Sequence, residues 1–345
     1  MLKRRGLRLL VFSVFVSALL VAGGRAWLLD VWHQPLALPA EGVRLEVAAG
    51  EGLGAVLKRA QSAGWLSRAR WVGFIAAQLG LDARMHVGEY QLAPGLDAAG
   101  LVNQLAKGDV VRYQVTLPEG ISLSQSLSLL CAQPALRCLI DGEKDPRLLT
   151  LVAPHASAEG WFLPETYTYR RGESDWDILQ QAHALMQREL THLWAERDTG
   201  LPLEDPYDAL RLASIVERET GVASERPQIA GVFVRRLARG MRLQTDPTVI
   251  YGLGDSYDGN LTRAHLRDAE NPYNTYRIPA LPPTPIALPG RASLAAVVHP
   301  ADGDALYFVA RGDGSHAFSA TLEEHQKRVK QYQLKRRSDY RSSPQ

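Results

Sequence analysis

The chain has 345 residues, 46% of them hydrophobic and 22% charged, which supplies a sizeable core and excludes wholesale disorder. Lys and Arg number 39 against 37 Asp and Glu, so the formal charge is only +2 and the basic excess of a nucleic-acid binder is missing. Two cysteines exclude a disulfide-dense scaffold and a zinc site made of cysteines alone.

Lys3, Arg4, Arg5 and Arg8 precede an uncharged run from Leu9 to Gly24. As a helix that run rises about 24 Å, short of the roughly 30 Å hydrocarbon core, and snorkelling of Arg8 and Arg25 with Ala26–Leu29 beyond makes up the difference. The spacing predicts a cytoplasmic N-terminus over 1–8 and a single transmembrane anchor over 9–29, with Trp27 and Trp32 at the far interface. Everything after residue 30 is then exported, which for a cell inner membrane means a periplasmic domain. A cleaved signal peptide is the alternative. Val21-Ala22-Gly23-Gly24 matches the small-residue cleavage pattern only loosely, so an uncleaved anchor is expected.

The Pro-rich stretch over 30–42 predicts a stalk. A small α/β module follows over 43–111. Val43, Leu45 and Val47 alternate as a strand, and the helical periods in GAVLKRAQSAGWL and ARWVGFIAAQLG each stop at a glycine. In GEYQLAPGLDAAGLVNQLAKG, the residues Tyr90, Leu92, Pro94-Gly95, Leu101 and Leu105 resemble the opening of a LysM module, which binds N-acetylglucosamine polymers. A generic strand–turn–helix fits the same residues. Residues 112–345 read as a larger mixed domain, giving an α+β class overall. Its elements include a helix around Ser124–Ala132, a long helix over Asp175–Trp194, and strands LYFVA and HAFSA joined by RGDGS. A helix from Thr321 leads to the basic tail Lys335, Arg336 and Arg337. Cys131 and Cys138 either close a small disulfide loop on the exported side or stay as two buried thiols.

The sharpest signal is EDPYDALRLASIVERETG, residues 204–221. Asp205 suits the N-cap, Pro206 the first helical position and Gly221 the stop. At about 100° per residue, Ala209, Leu210, Leu212, Ala213, Ile215 and Val216 form one broad apolar arc, with Arg211 and Arg218 opposite. Glu217 and Glu219 both fall inside that arc, and a broken pattern in a well-specified helix is where function is expected. A carboxyl in apolar surroundings keeps its proton to higher pH, which suits the general acid of glycosidic cleavage. The alternative is an ion pair to an arginine of a neighbouring helix, as in VFVRRLARGMRL. The two glutamates point about 160° apart, so they are poorly placed to flank one bond.

No H-E-x-x-H, G-x-S-x-G, Walker or dinucleotide glycine pattern is present, so neither a metal nor a cofactor is expected. The polar residues concentrate in EGWFLPETY, LQTDPTVIYG and NPYNTYRIPALPPTPIALPG. These supply Glu159, Trp161, Tyr167, Gln244, Asp246, Tyr251, Asn271, Tyr273, Asn274 and Tyr276, the aromatic faces and amides that a sugar chain needs. Ordinary loop punctuation accounts for any one of them singly.

Together, ASIVERET, RLQTDPTVIYG, NPYNTY, LPPTPIALPG and EGWFLPETY resemble the YceG-like (MltG) family of endolytic murein transglycosylases, in the family's order from about residue 159 to 319. The resemblance implies a peptidoglycan lyase that cleaves the MurNAc–GlcNAc β-1,4 bond within strands to leave 1,6-anhydroMurNAc ends. It implies Glu217 as the catalytic acid, Glu219 in support, and Glu165, Gln244, Asp246, Thr248, Tyr251, Asn274 and Tyr276 as substrate-binding residues. It further implies work on nascent strands beside the penicillin-binding synthases. A hydrolytic muramidase, with Asp246 or Glu165 holding water, and a non-catalytic wall-binding scaffold remain as alternatives.

Overall fold

The computed structural model describes residues 2–48 and 50–334, so the basic tail at Lys335, Arg336 and Arg337 lies outside the described residues. The chain divides into two compact units, Met1–Tyr113 with Arg170–Gly172, and Gln114–Tyr169 with Glu173–Gln345.

The first unit opens with helix α1 (Leu2–Trp32), whose stretch Val11–Trp32 is long and apolar enough to cross a membrane. Strand β1 (Val43–Val47), helices α2 (Leu53–Ser62) and α3 (Ala69–Gln78), strand β2 (Gly88–Leu92) and helix α4 (Ala98–Lys107) follow. β1 and β2 pair antiparallel, Val43 opposite Leu92 and Val47 opposite Gly88. α2 and α3 end as the sequence predicts, with Gly64 and Gly80 in left-handed backbone just beyond them. The Asp97 carboxylate accepts the Gly100 amide at 2.7 Å to start α4, and left-handed Gly108 ends it.

Two expectations change here. Residues 30–42 are not a free stalk. α1 runs on to Trp32, and Val31, Trp32 and Leu36 join the core because their apolar surface finds Leu66, Leu101 and their neighbours to bury against. Trp32 is therefore a core residue and not an interface anchor. Tyr90, Leu92, Leu101 and Leu105, the residues that resemble a LysM opening, are fully buried in that same core, and β2 closes a pair begun by β1.

Strands β3 (Arg112–Thr116) and β4 (Thr166–Arg170) lie mostly in the second unit, each with one end in the first, and the second unit also contains α5 (Leu123–Cys131), α6 (Pro146–Leu151) and α7 (Asp175–Ala195). After these come α8 (Pro206–Glu219), α9 (Arg226–Ala238), α10 (Asp246–Leu253), α11 (Arg263–Arg267) and α12 (Arg291–Val298), then β5 (Tyr307–Ala310), β6 (His316–Ser319) and α13 (Leu322–Val329). β3 pairs with β4, and β5 forms an antiparallel hairpin with β6, so the class is mixed α and β. Asp313 caps the hairpin loop by accepting the Ser315 amide at 2.9 Å. Of the two cysteine alternatives the structure has the disulfide, with the Cα atoms of Cys131 and Cys138 5.0 Å apart.

α8 is the centre of this unit. Asp205 accepts the Asp208 amide at 2.8 Å, and Pro206 takes the first turn. The six residues of the predicted apolar arc are all completely buried, against α12, α9, α7 and α10. At about 1.5–3 kcal/mol for each fully buried large aliphatic, that arc fixes the position of everything the helix carries. The stop differs from expectation. Thr220 turns extended and its hydroxyl accepts the Val222 amide at 2.9 Å, so the helix ends at Glu219 without a left-handed glycine.

Candidate active site

Glu217 and Glu219 leave α8 on opposite sides, and their surroundings differ. Glu219, in the last helical position, faces a cleft of about 830 Å³ in the second unit. Burial pushes its carboxyl from 4.5 up to about 7, and the charge on Asp246 adds to this. The Thr245 hydroxyl, which donates to the Glu219 carboxylate, and Arg236 oppose the shift without cancelling it. The negative end of the helix acts in the same direction as burial.

Glu217 has the environment of the ion-pair alternative. Its side chain is 5% exposed, accepts the Gly290 amide at 2.9 Å, and pairs with Arg226, the first residue of α9, at 3.2 Å. Arg226 also lies 3.5 Å from Glu119. Glu217 does not line the cleft. Glu217, the expected catalytic acid, thus stands in an ion pair with Arg226. Helical spacing put both carboxylates in the apolar arc, and the partner across the helix gap decides which one is spent on an arginine.

Gln244, Asp246 and Tyr276 line the cleft with Glu219, as do Arg218 and Arg236. Tyr276 donates its hydroxyl to Asp246 at 2.6 Å, which fixes that carboxylate in the cleft wall. Gln244 has φ +51°, the one non-glycine residue with left-handed backbone among the described residues. Such a conformation costs about 1–3 kcal/mol and is held here by bonds from the Gln244 amide to the Thr275 carbonyl (3.2 Å) and from the Thr245 amide to the Thr275 hydroxyl (3.0 Å).

The other expected substrate-binding residues do not reach the cleft. Thr248 is completely buried, donates to the Thr245 carbonyl at 2.8 Å and bonds the Thr275 hydroxyl, so it shapes the loop that carries Glu219's partner. Asn274 is also completely buried and donates to the carbonyls of His265, Leu266 and Asp268. Tyr251 donates to buried Glu159 at 3.1 Å, a carboxyl that burial pushes up to about 7. Glu165 is exposed and paired with Arg291 at 2.8 Å. The aromatics of EGWFLPETY also turn inward. Trp161 stacks on Tyr207 at 5.6 Å, and Tyr167 donates to the Leu163 carbonyl.

Sequence reasoning missed Arg236, Tyr307 and His316 on the cleft. Arg236 is pinned by donating to the carbonyls of Leu306 (2.7 Å) and Leu243 (2.6 Å), 5.1 Å from the Tyr307 ring. Glu225 holds His316 through its amide at 2.8 Å and Nδ1 at 2.7 Å. Adjacent arginines on a helix read as a solvated face, so only tertiary packing reveals Arg236. A larger hollow of about 1130 Å³ beside α7, lined by Trp161, Gln181, Leu185 and Arg188 among others, carries no carboxylate. Among the described residues, the one His, Cys, Asp or Glu grouping close enough to hold an ion is Cys131, Cys138 and Asp175, whose sulfurs are joined to each other. What the cleft can do is donate a proton near neutral pH from a fixed carboxyl, beside arginines and amides that orient hydroxyl-rich material.

The second unit is thus a mixed α and β unit built around one buried helix, with a carboxyl of raised pKa at that helix's end. The chain belongs to the YceG-like family, whose model matches residues 45–331. It is 29% identical over 265 residues to the endolytic murein transglycosylase of Bacillus subtilis (strain 168), covering 71% of this chain and 72% of that protein. It is 25% identical over 283 residues to the endolytic murein transglycosylase of Streptococcus pneumoniae serotype 2, covering 72% of this chain and 51% of that one. A yceG-like protein from Listeria monocytogenes, solved by crystallography, superposes with a TM-score of 0.54 at 28% identity, over 84% of this chain and 99% of the other.

Proposed function

We propose that this chain is a membrane-anchored endolytic murein transglycosylase with Glu219 as its general acid. The observation that carries the reading is Glu219 itself, a carboxyl raised to about 7 on the wall of a cleft that also holds Arg236, Gln244, Asp246 and Tyr276. Protonated Glu219 gives its proton to the oxygen bridging MurNAc C1 and GlcNAc O4, and the C1–O4 bond breaks. The MurNAc 6-hydroxyl attacks C1, and its proton returns to the Glu219 carboxylate. The product end is 1,6-anhydroMurNAc, and no water is consumed. One carboxyl suffices because the nucleophile belongs to the substrate. A placed general acid is worth about 10²–10⁴-fold.

The span at Val11–Trp32, with basic residues ahead of it, supports a cytoplasmic N-terminus and an exported catalytic unit. The Cys131–Cys138 disulfide suits an oxidising compartment. In that place the enzyme meets nascent strands beside the penicillin-binding synthases. A hydrolytic muramidase is the second reading, favoured by one observation: Asp246 shares the cleft with Glu219 and could hold a water.

The test digests purified peptidoglycan with the detergent-solubilised full chain and identifies the new glycan ends by mass spectrometry. Ends one water lighter, lost in Glu219→Gln and retained in Glu217→Gln, are expected. Reducing ends would replace the lyase by the hydrolase. Full activity in Glu219→Gln would remove Glu219 from the mechanism.

A further inference from the structure

α3 carries apolar residues on two faces. Ala69, Val72 and Ala76 are buried in the first unit, while Trp71 and Phe74 stand 45% and 50% exposed on the outward face, next to exposed Arg70. A helix facing water would carry charge there, so the large exposed rings call for a partner. The rings form one patch. Trp71 meets Phe74 edge-on at 6.1 Å between centroids and meets Trp27 of α1 edge-on at 5.0 Å. Trp27 is itself 40% exposed and lies inside the stretch Val11–Trp32. Arg68 sits 5.9 Å over the Trp27 ring and pairs with Asp30 at 2.9 Å.

Depth follows from the helix rise. A hydrocarbon layer of roughly 30 Å takes about 20 residues at about 1.5 Å each, so a span starting at Leu9 leaves the layer near residue 28. Trp27 falls at that boundary, and Trp71, edge-on to it, shares its depth, with Phe74 against Trp71. Tryptophan is favoured there because its body is apolar and its N–H is polar.

We infer that the outward face of α3 lies in the headgroup layer of the bilayer that α1 crosses, with Trp27, Trp71 and Phe74 at the acyl boundary and Arg68 and Arg70 toward lipid phosphates. The inference rests on the proposed anchor. The occupant is lipid because the patch is continuous with the span and fringed by the charge that phosphate attracts.

The test places a polarity-sensitive fluorophore in the full chain at Phe74→Cys, Phe15→Cys or Glu46→Cys, the two native cysteines being paired with each other. Each protein is reconstituted into vesicles of phosphatidylethanolamine and phosphatidylglycerol. Phe15 marks the span, and Glu46, exposed on β1, marks water. The expected result is a blue shift at Phe74 and loss of its emission to nitroxide lipids labelled near the headgroup. Phe15 should lose emission to deep-labelled lipids, and Glu46 to neither. A quenched Phe15 with Phe74 in water overturns the inference and leaves the anchor standing. An unquenched Phe15 overturns the anchor and the inference with it. A blue shift at Phe74 without lipid quenching, with energy transfer between differently labelled chains, means that a second copy covers the patch and also overturns it.

Discussion

Glu219→Gln separates the proposed acid from the ion-pair glutamate by stability as well as by activity. The folded chain holds the Glu219 proton up to about pH 7, whereas an unfolded chain releases it near its ordinary value of 4.5. The stabilisation from this group is therefore fully present below about pH 4.5 and is lost as pH rises through about 7. At about 1.4 kcal/mol per unit the ceiling is about 3 kcal/mol, and contact with cleft solvent reduces it to about 1–2 kcal/mol. Glutamine keeps the shape and does not titrate. Relative to wild type, Glu219→Gln should gain about 1–2 kcal/mol between pH 4 and pH 8, read at about 2–4 °C of Tm per kcal/mol. Glu159, which burial also pushes up to about 7, is common to both proteins and cancels. Glu217→Gln should instead lose about 1–3 kcal/mol at neutral pH, because buried Arg226 keeps a hydrogen-bond partner but loses a charge. The assay is thermal unfolding of the detergent-solubilised full chains across that pH range. A wild-type minus Glu219→Gln difference that stays flat from pH 4 to pH 8 would refute the burial argument. So would a Glu217→Gln protein that unfolds like wild type yet cannot cleave.

Three further outcomes follow from the site. Tyr276→Phe removes the hydroxyl that orients Asp246 and should lower kcat/KM by about 10-fold or more, since a hydrogen bond to a charged group is worth about 1.5–3 kcal/mol; unchanged kinetics would mean that Asp246 needs no holding. Gly252→Ala places a methyl against the Asn271 amide, which is fixed by the Val249 carbonyl and the Tyr273 amide, so unfolding midpoints should fall by about 1–3 kcal/mol; an unshifted midpoint would mean that this loop yields. Gln244→Gly should be close to neutral in stability because relief of left-handed backbone offsets added chain entropy, while Gln244→Val should cost about 1–2 kcal/mol; equal denaturant midpoints for the two would show that the backbone stores no strain.

Local chemistry made much of the architecture legible. The Asp205-Pro206 start and the six-residue apolar arc of α8 are rules of one helix turn, and the structure has them as read. The presence of two carboxylates in that arc was legible for the same reason. Which one pairs with an arginine was not, because Arg226 and Gly290 reach Glu217 from beyond the helix. The loop motifs turn inward in a consistent way. Asn274, Thr248 and Tyr251 have the hydrogen-bonding groups of a binding site, but a loop's own buried carbonyls and carboxylates must also be satisfied, and that need takes them first. Trp32 fails for a related reason: a ring read as an interface anchor packs wherever a core lies closer.

The unbroken passage of α1 into the first unit has a mechanical consequence. A flexible tether of 12 residues would let a tethered body wander roughly 20 Å from its anchor point and swivel freely. Here the helix enters the core at Val31 and Trp32 with no hinge residue between span and fold. With α1 as the proposed anchor, its tilt or rotation is delivered to the first unit as torque, and the height of that unit above the bilayer is set by a rigid rod and not by chain entropy.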